Sequence, residues 1–543
     1  MKARLAGMLL AFAACDGERG AVRAAARRGT LVLAVTAEPR TLLPPMATDL
    51  VAAQLSDLLY ERLADPVPGY APIGDRDYRP ALAEGWTWGV DSASLRFVLR
   101  AGARWHDGVP VTSRDVRFTY ELLLDPRTAS PRRALLAPVD SVTTPDARTA
   151  VVWCRRASPT LFHDVTQPAH VLPAHLLRHA DRPTLASSSL GRRPMGSGRY
   201  RLARWDPGRS IELLADSAHP RGAPAIGRVI VRVLPEYQAA LAAVRRGEAD
   251  ALDFVRAADV PALARDPRLR VLALPGHDHA YLQLNLHAPG DARRAHALFG
   301  DPRLRRAVAL AVDRSAIVRN VLGTLGRPGI GPVTRALSTA DTTLIGPPHD
   351  PRAAAALLDS LGWRRHDGDP VRRRGRTRLS FALLVPTSSA TRERAAVLLQ
   401  AMLATVGIEV RVQRLDHAAM LAALEAGRFD AAMAAFHVDA NPAGVREVWG
   451  GEAARTGHGF NFGGYASAQV DAALDSAAAA PDAERAARWY RVAYRRIVDD
   501  VPAIFLYEPF SVAVVARRFE PAGVRADAWW AGLAEWRVHG AAP

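Results

Sequence analysis

Residues 104–116 read RWHDGVPVTSRDV, with His106 and Asp107 side by side and Asp115 a short distance on. Imidazole next to carboxylate is material for acid–base or metal chemistry. Neighbouring side chains on an extended segment point apart, however, and no orienting partner is evident for a dyad. Asp107–Gly108 is strong turn chemistry, and Thr112 to Asp115 has the spacing of a capping box. A turn followed by a helix start is therefore expected, not a catalytic pair. His175 and His179 in HVLPAHLLRH stand one helical turn apart, a zinc-compatible spacing. No HExxH glutamate follows and no cysteine pair assists, so a packing or surface role is expected for them. The HDH run at 277–279 reads as a polar loop. No GxSxG elbow supports a serine hydrolase, and no catalytic residue is assigned. Asp439 differs from all of these. It follows FDAAMAAFHV, apolar enough for a buried strand, and precedes Asn441–Pro442, a chain-turning pair. An acid at the end of such a strand projects where α/β folds bind ligands. Burial there is costly unless a cation or donors compensate it. The competing reading is an N-cap or Asx-turn aspartate.

The elements that must position these residues alternate between strands and helices. TLVLAVTAEP near residue 30 alternates like a strand, and a helix is expected from about Leu50 to Leu63. SLRFVLR carries Leu95, Phe97 and Leu99 on one face, while the helix after Thr112 carries Val116, Tyr120 and Leu123 on one face. IELLA, VIVRVLP, LSFALLVP, GIEVRVQRL and FDAAMAAF read as strands. YQAALAAVRRGE, RERAAVLLQAMLATV and HAAMLAALEAG read as helices, and PRLRRAVALAVDRSAIVRNVLG as an amphipathic helical region. This alternation predicts an α/β fold with wound sheets.

At 543 residues the chain exceeds what one core organises, so two or three domains are expected. Its net charge of +16 comes almost wholly from arginine, because Lys2 is the only lysine. That excludes Schiff-base lysine chemistry and a GxxxxGKS phosphate loop. The arginines are dispersed, so no nucleic-acid partner is expected; the densest run, VRRRGRTR at 371–378, reads as a solvated hairpin tip. At the N-terminus, Lys2 and Arg4 precede LAGMLLAFAA and Cys15. A basic start, a short apolar stretch and a small-residue end form a secretory signal pattern, about half the length needed to span a bilayer. FAAC resembles a bacterial lipobox, which makes Cys15 the expected lipidation site, followed by a polar linker over 16–28. Only Cys154 then remains, so neither an internal disulfide nor a cysteine-pair zinc site is expected.

Several stretches, in order, resemble the dipeptide/oligopeptide-type extracellular solute-binding proteins (family 5) of ABC importers. RPALAEGWTWGVDSASLRFVLRAGARWHDGVPVTSRDVRFTYELLLDP (79–126) is similar to their best-known signature. MGSGRYRLARW (195–205), RRGEADAL (245–252), YLQLNL (281–286), RLRRAVALAVDRSAIV (303–318), DPRAAAALLDSLGW (350–363), VGIEVRV (406–412), FDAAMAAFHVDANP (429–442) and NFGGYASAQVDAAL (461–474) follow in the family's order. The resemblance covers nearly the whole mature chain.

The resemblance implies an α/β, two-lobed periplasmic-binding-protein fold of type II, with an extra inserted domain, a hinge between lobes and ligand enclosed there. Mapped onto this chain, lobe I is 29–66, 195–283 and 506–543, the inserted domain is 67–194, and lobe II is 284–505. It further implies that Asp439 pairs with a ligand's α-ammonium. Segments lining the family's cleft add Asn441, Trp449, Thr48, Asp49, Thr387 and Ser388 as ligand-binding candidates. The function implied is binding without chemistry: a monomeric lipoprotein, exported to the periplasm or the outer face of the cytoplasmic membrane, hands peptides or peptide-like solutes to an ABC permease without a cofactor or metal. A non-peptide solute (oligosaccharide, opine or metal chelate) is the alternative, and a secreted hydrolase or chaperone-like protein a more distant one. The export signal and the lack of an N-terminal DNA-binding domain argue against a transcriptional regulator.

Overall fold

The computed structural model describes residues 29–539 apart from Asp367 and His458, so the signal segment, Cys15 and the linker lie outside the described residues. The chain divides into two compact units. The first contains 29–70, Gly74–Ala273 and 512–539; the second contains Ala71–Ile73 and Leu274–Ser511.

In the first unit, Thr30–Val35 is hydrogen-bonded on both edges by parallel neighbours. Arg228–Val233 lies on one side in register from Thr30↔Arg228 to Val35↔Val233, and Ala251–Leu252 on the other. Ser210–Ala215 and Tyr200–Asp206 extend the sheet antiparallel. Leu31, Leu33, Val229 and Val231 are buried, as expected for a strand covered on both faces. Helix Tyr237–Arg246 buries Tyr237, Ala240, Leu241 and Val244, packs against Thr30–Val35, and ends at Gly247 in the left-handed region. Helix Leu50–Leu59 stops four residues short of the expected end. The backbone of the next residues is recruited elsewhere: the Glu61, Arg62 and Leu63 carbonyls accept from Val171, Leu82 and Ala83. A separate antiparallel sheet, ordered Ala83–Trp88, Ser94–Leu99, Thr149–Cys154 and Val139–Thr143, carries helix Ser113–Leu124 on one face.

RWHDG and MGSG, far apart in sequence, form one packed corner. His106 N donates to the Gly196 carbonyl at 2.8 Å, and His106 Nε2 meets the Gly198 carbonyl at 2.9 Å. Burial pulls the His106 imidazole below its ordinary pKa. Asp107 accepts from Val109 N, Gly108 takes φ 89°, and the Thr112–Asp115 capping box forms as expected. Gly196 and Gly198 lie directly on the Leu58–Leu59 backbone, and a Cβ on Gly196 would stand 1.7 Å from the Leu59 oxygen. Asp107 does find an imidazole partner, but it is His175, at 2.8 Å. The helix holding His175 ends at Leu177, so His175 and His179 do not share the expected helical turn.

The second unit repeats the parallel core with different residues. Ser380–Pro386 is paired in parallel with Glu409–Leu415 on one side and with Ala431–His437 on the other. Asp278–Leu284 and the first residues of Ala503–Ala516 continue the sheet antiparallel. HDH thus leads into a strand that starts at Asp278 rather than forming a loop, and His279 is buried with every residue to Leu284 because that strand is paired on both edges and covered on both faces. The long amphipathic region is two helices, Pro302–Ala311 and Arg314–Val321, because Val312 is extended and Asp313 caps the second through Ala316 N. Leu282, Phe299, Ile317, Phe381, Leu383 and Leu399 fill the core between sheet and helices. The 371–378 hairpin forms, but Arg372 is not solvated: it is buried and donates to the Val406 and Trp363 carbonyls and to Asp359.

Gly196→Ala is expected to destabilise the first unit by about 2 kcal/mol or more, because rigid backbone must yield to the added methyl. Thermal unfolding of the variant beside wild type measures it; an unchanged transition rejects this packing account.

Candidate functional site

Each unit has the same strand logic. Counted along the chain within each parallel trio, the first strand lies in the middle, the second on one side and the third on the other. The last crossover therefore passes over the first strand, by helix Tyr237–Arg246 in the first unit and helix His417–Glu425 in the second. Loops leaving the first and third strands diverge, and the crevice outside their carboxyl ends is where open α/β sheets bind ligands. Pairing is short at both places. It ends at Ala34↔Leu252 in the first unit and at Leu384↔Ala432 in the second, although the strand Ala431–His437 continues.

In the second unit, Thr387, Ser388 and Asp439 all leave the strands flanking this crevice. Thr387 and Ser388 are exposed, and Thr387 N donates to the Leu415 carbonyl. Ser389 caps helix Ala390–Thr405 by accepting from Arg392 N. Asp439 is exposed and thus keeps its hydration, so the desolvated acid expected at this strand end is not what the folded unit presents. The preceding Val438 is buried, and its N–H donates to the His277 carbonyl, which fixes the strand exit. Asn441 Oδ1 accepts from Ala443 N at 3.0 Å and starts a short 3-10 turn. Trp449 is only 2 % exposed; its ring lies 5.7 Å from Tyr281 and 5.5 Å from Phe505, against which His279 also stacks. It shares a buried cluster with Val438, the residue before Asp439.

Sequence reasoning missed Arg392. Its guanidinium is partly shielded and makes one long bond, 3.4 Å, to the Met433 carbonyl, which lies beyond the last pairing of the two parallel strands. Burial lowers its basicity, and the nearby Tyr507 hydroxyl, itself pushed up to about 12 by burial, acts in the opposite sense. A basic residue three places into a capped helix after a parallel strand was the available signal. It was lost among many arginines.

In the first unit, Thr48 is exposed and Asp49 caps helix Leu50–Leu59, its Oδ1 accepting from Ala52 N at 2.7 Å. The residue leaving the third parallel strand there is Asp253, which sequence reasoning also missed. Its carboxyl accepts from Gln54 Nε2 at 3.2 Å, and burial pushes its pKa above the usual carboxylate range. Only the acid following the short apolar pair Ala251–Leu252 could have signalled it. Among the described residues, no group of three His, Cys, Asp or Glu side chains is arranged to hold a metal ion.

Residues 77–452 match the family model described as bacterial extracellular solute-binding proteins, family 5 Middle. A Brucella ovis protein named for ABC-transporter peptide binding is 29 % identical over 336 residues, covering 62 % of this chain. That match spans only 60 % of the length of this curated relative. The oligopeptide-binding protein AppA of Bacillus subtilis is 23 % identical over 516 residues, 92 % of each chain. Its structure with a nonapeptide superposes with a TM-score of 0.71, covering 94 % of this chain and 99 % of that one at 22 % identity. The ABC transporter substrate-binding protein CtaP of Listeria monocytogenes gives 0.81 at 19 % identity, over 94 % of this chain and 99 % of that one. The fold is the two-lobed α/β fold expected.

His279 supplies a pH test of the core behind Asp439. Burial pulls its pKa from an ordinary 6.5 to about 4, so folding favours the neutral ring. Its contribution to stability is therefore complete above about pH 6.5 and is lost as pH falls toward 4, by at most ~1.4 kcal/mol per pH unit. His279→Phe keeps the stack on Phe505 but loses the Gly331 carbonyl bond. Denaturation of the second unit across this range is expected to show a flatter acid limb for the variant; an identical slope refutes the assignment.

Proposed function

Because the chain belongs to the bacterial extracellular solute-binding proteins of family 5, we propose that it is the peptide-capturing component of an ABC importer, passing its ligand to a membrane permease without chemical change. The observation that carries this reading is the crevice of the second unit, where Asp439, Thr387 and Ser388 leave adjacent strand ends without a nucleophile, base and orienter set among them. Asp439 is the anchor for the ligand's α-ammonium. Its solvation costs little before binding, and a charge-assisted bond forms when ligand displaces water. Asn441 shapes the turn after it, and Trp449 holds that turn by packing from behind. Thr387 and Ser388 offer hydroxyls and backbone groups to the peptide main chain. Thr48 and Asp49 are the candidates within the first unit, where Asp49 acts through the helix it caps. The lobes are assigned as lobe I 29–66, 195–283 and 506–543, inserted domain 67–194 and lobe II 284–505, an assignment that differs from the two compact units at 71–73, 274–283 and 506–511, which belong to the second unit.

The protein acts as a monomer and binds no nucleic acid. Its arginines are dispersed, and many are engaged by carboxylates and carbonyls of the same chain. Cleavage before Cys15 and lipidation of its thiol hold it on the outer face of the cytoplasmic membrane. One lipid chain alone anchors only marginally, so the diacylated form of bacterial lipoproteins is the one that retains it.

Asp439→Ala is expected to weaken binding of free-amine oligopeptides by about tenfold or more, the worth of a hydrogen bond to a charged group. N-acetylation of the peptide should cost wild type the same and the variant nothing further. Calorimetric titration decides it, and equal affinities for wild type and Asp439→Ala would remove Asp439 from the site. Cys15→Ser is expected to abolish incorporation of labelled fatty acid and move the protein from the membrane to the soluble fraction; continued labelling would defeat the lipidation proposal.

A further inference from the structure

We propose that the recess holding Asp253 in the first unit is a cation subsite, which receives an ammonium or guanidinium group of the bound solute; this rests on the solute-binding reading. Asp253 is the first residue beyond Ala251–Leu252, at the point where that strand parts from Thr30–Val35. It therefore occupies, in the first unit, the crevice in which open α/β sheets take ligands. Asp253 is half-buried and burial pushes its pKa up, yet the only side-chain donor its carboxylate receives is the neutral Gln54 amide. Among the described residues no cationic side chain acts on it.

Gln54 is held for this purpose. It is buried, and its Oε1 accepts from Trp530 N at 3.0 Å, which turns the amide nitrogen toward Asp253 and leaves no freedom to flip. One carboxylate oxygen is thereby oriented and the other left for a further donor. Asp250, three residues earlier, shows the contrast. It accepts from Val32 N at 2.9 Å and from Arg518 through both carboxylate oxygens, at 2.7 and 2.8 Å. One acid of the segment is saturated by the fold and the other is not. A half-buried carboxylate without a counter-charge is partly desolvated in the unliganded protein, and a ligand cation offsets that cost. Phe254, 67 % exposed at the same strand exit, offers apolar surface to the hydrocarbon part of such a ligand.

The experiment compares wild type with Asp253→Asn, which keeps the shape and can still accept from Gln54. Both are titrated calorimetrically with three peptides: a short oligoalanine, its N-acetylated form, and an N-acetylated oligoalanine carrying one lysine. The variant is expected to lose about tenfold or more in affinity for a peptide bearing the cation Asp253 receives, and nothing for the acetylated neutral one. Loss confined to the lysine peptide identifies a basic side chain; loss confined to the free-amine peptide assigns the α-ammonium to Asp253 and withdraws it from Asp439. The unliganded variant is also expected to melt at a higher temperature than wild type, whereas a purely structural aspartate would give a lower one. As a readout independent of any variant, carbon-13 carboxyl titration of wild type should show the Asp253 pKa falling when a cationic peptide binds and not when the neutral one does. Affinities unchanged by Asp253→Asn, or lowered equally for all three peptides, overturn the subsite. Wild-type protein that binds none of the three overturns the peptide reading itself, a result visible before any variant is made.

Discussion

A parallel strand bonded on both edges, with its two successors placed on opposite sides, is the constraint from which the rest of each unit follows. Thr30–Val35 and Ser380–Pro386 occupy this position. One crossover must then pass over the first strand, and the loops leaving the first and third strands turn away from each other. Backbone and side-chain groups at those ends lose a neighbour they would otherwise have. Short pairing to the third strand widens the gap. Asp253 in one unit and Arg392 and Asp439 in the other stand at these places because of topology, with no shared motif to announce them.

Electrostatics sorts the charged residues into those the fold uses and those it leaves open. Arg305 is buried and donates to the Asp500, Val501 and Phe299 carbonyls, and Arg372 staples its hairpin to Val406 and Trp363. Glu508 is buried and answered by Arg335 together with the Ile330 and Arg335 N–H groups. Buried charge is tolerated there because every group meets a partner of suitable geometry. Arg392, with one long bond, and Asp253, whose one side-chain donor is neutral, depart from that pattern. A few arginines, Arg305 and Arg372 among them, are therefore internal scaffolding, and the informative charges are those that scaffolding omits.

The most conspicuous chemical stretch proved to be architecture. His106 clamps the Gly196–Gly198 corner, and the two glycines are required because backbone carbonyls occupy the space a side chain would need. Two segments ninety residues apart have matched forms because each is the other's packing surface. Asp107 does form an imidazole–carboxylate pair, with His175 rather than its neighbour, since adjacent side chains diverge and only folding brings a distant ring within reach.

Periodicity and capping are local, and they were legible. The alternating runs became Thr30–Val35 and Ser94–Leu99, LSFALLVP became Ser380–Pro386, and Thr112–Asp115 closed a capping box as its spacing required. The succession of motifs likewise carried the family and the alternation of elements the fold class. Helix Leu50–Leu59 ended early, and HDH became a strand, because distant segments competed for the same backbone groups. Trp449 entered the core and Asp439 stayed in water for a comparable reason: burial is decided by what other elements cover a residue. Charge compensation depends on distance in space. Sequence thus determined the elements and their order, while only tertiary structure decided which acids and arginines would be left without a partner.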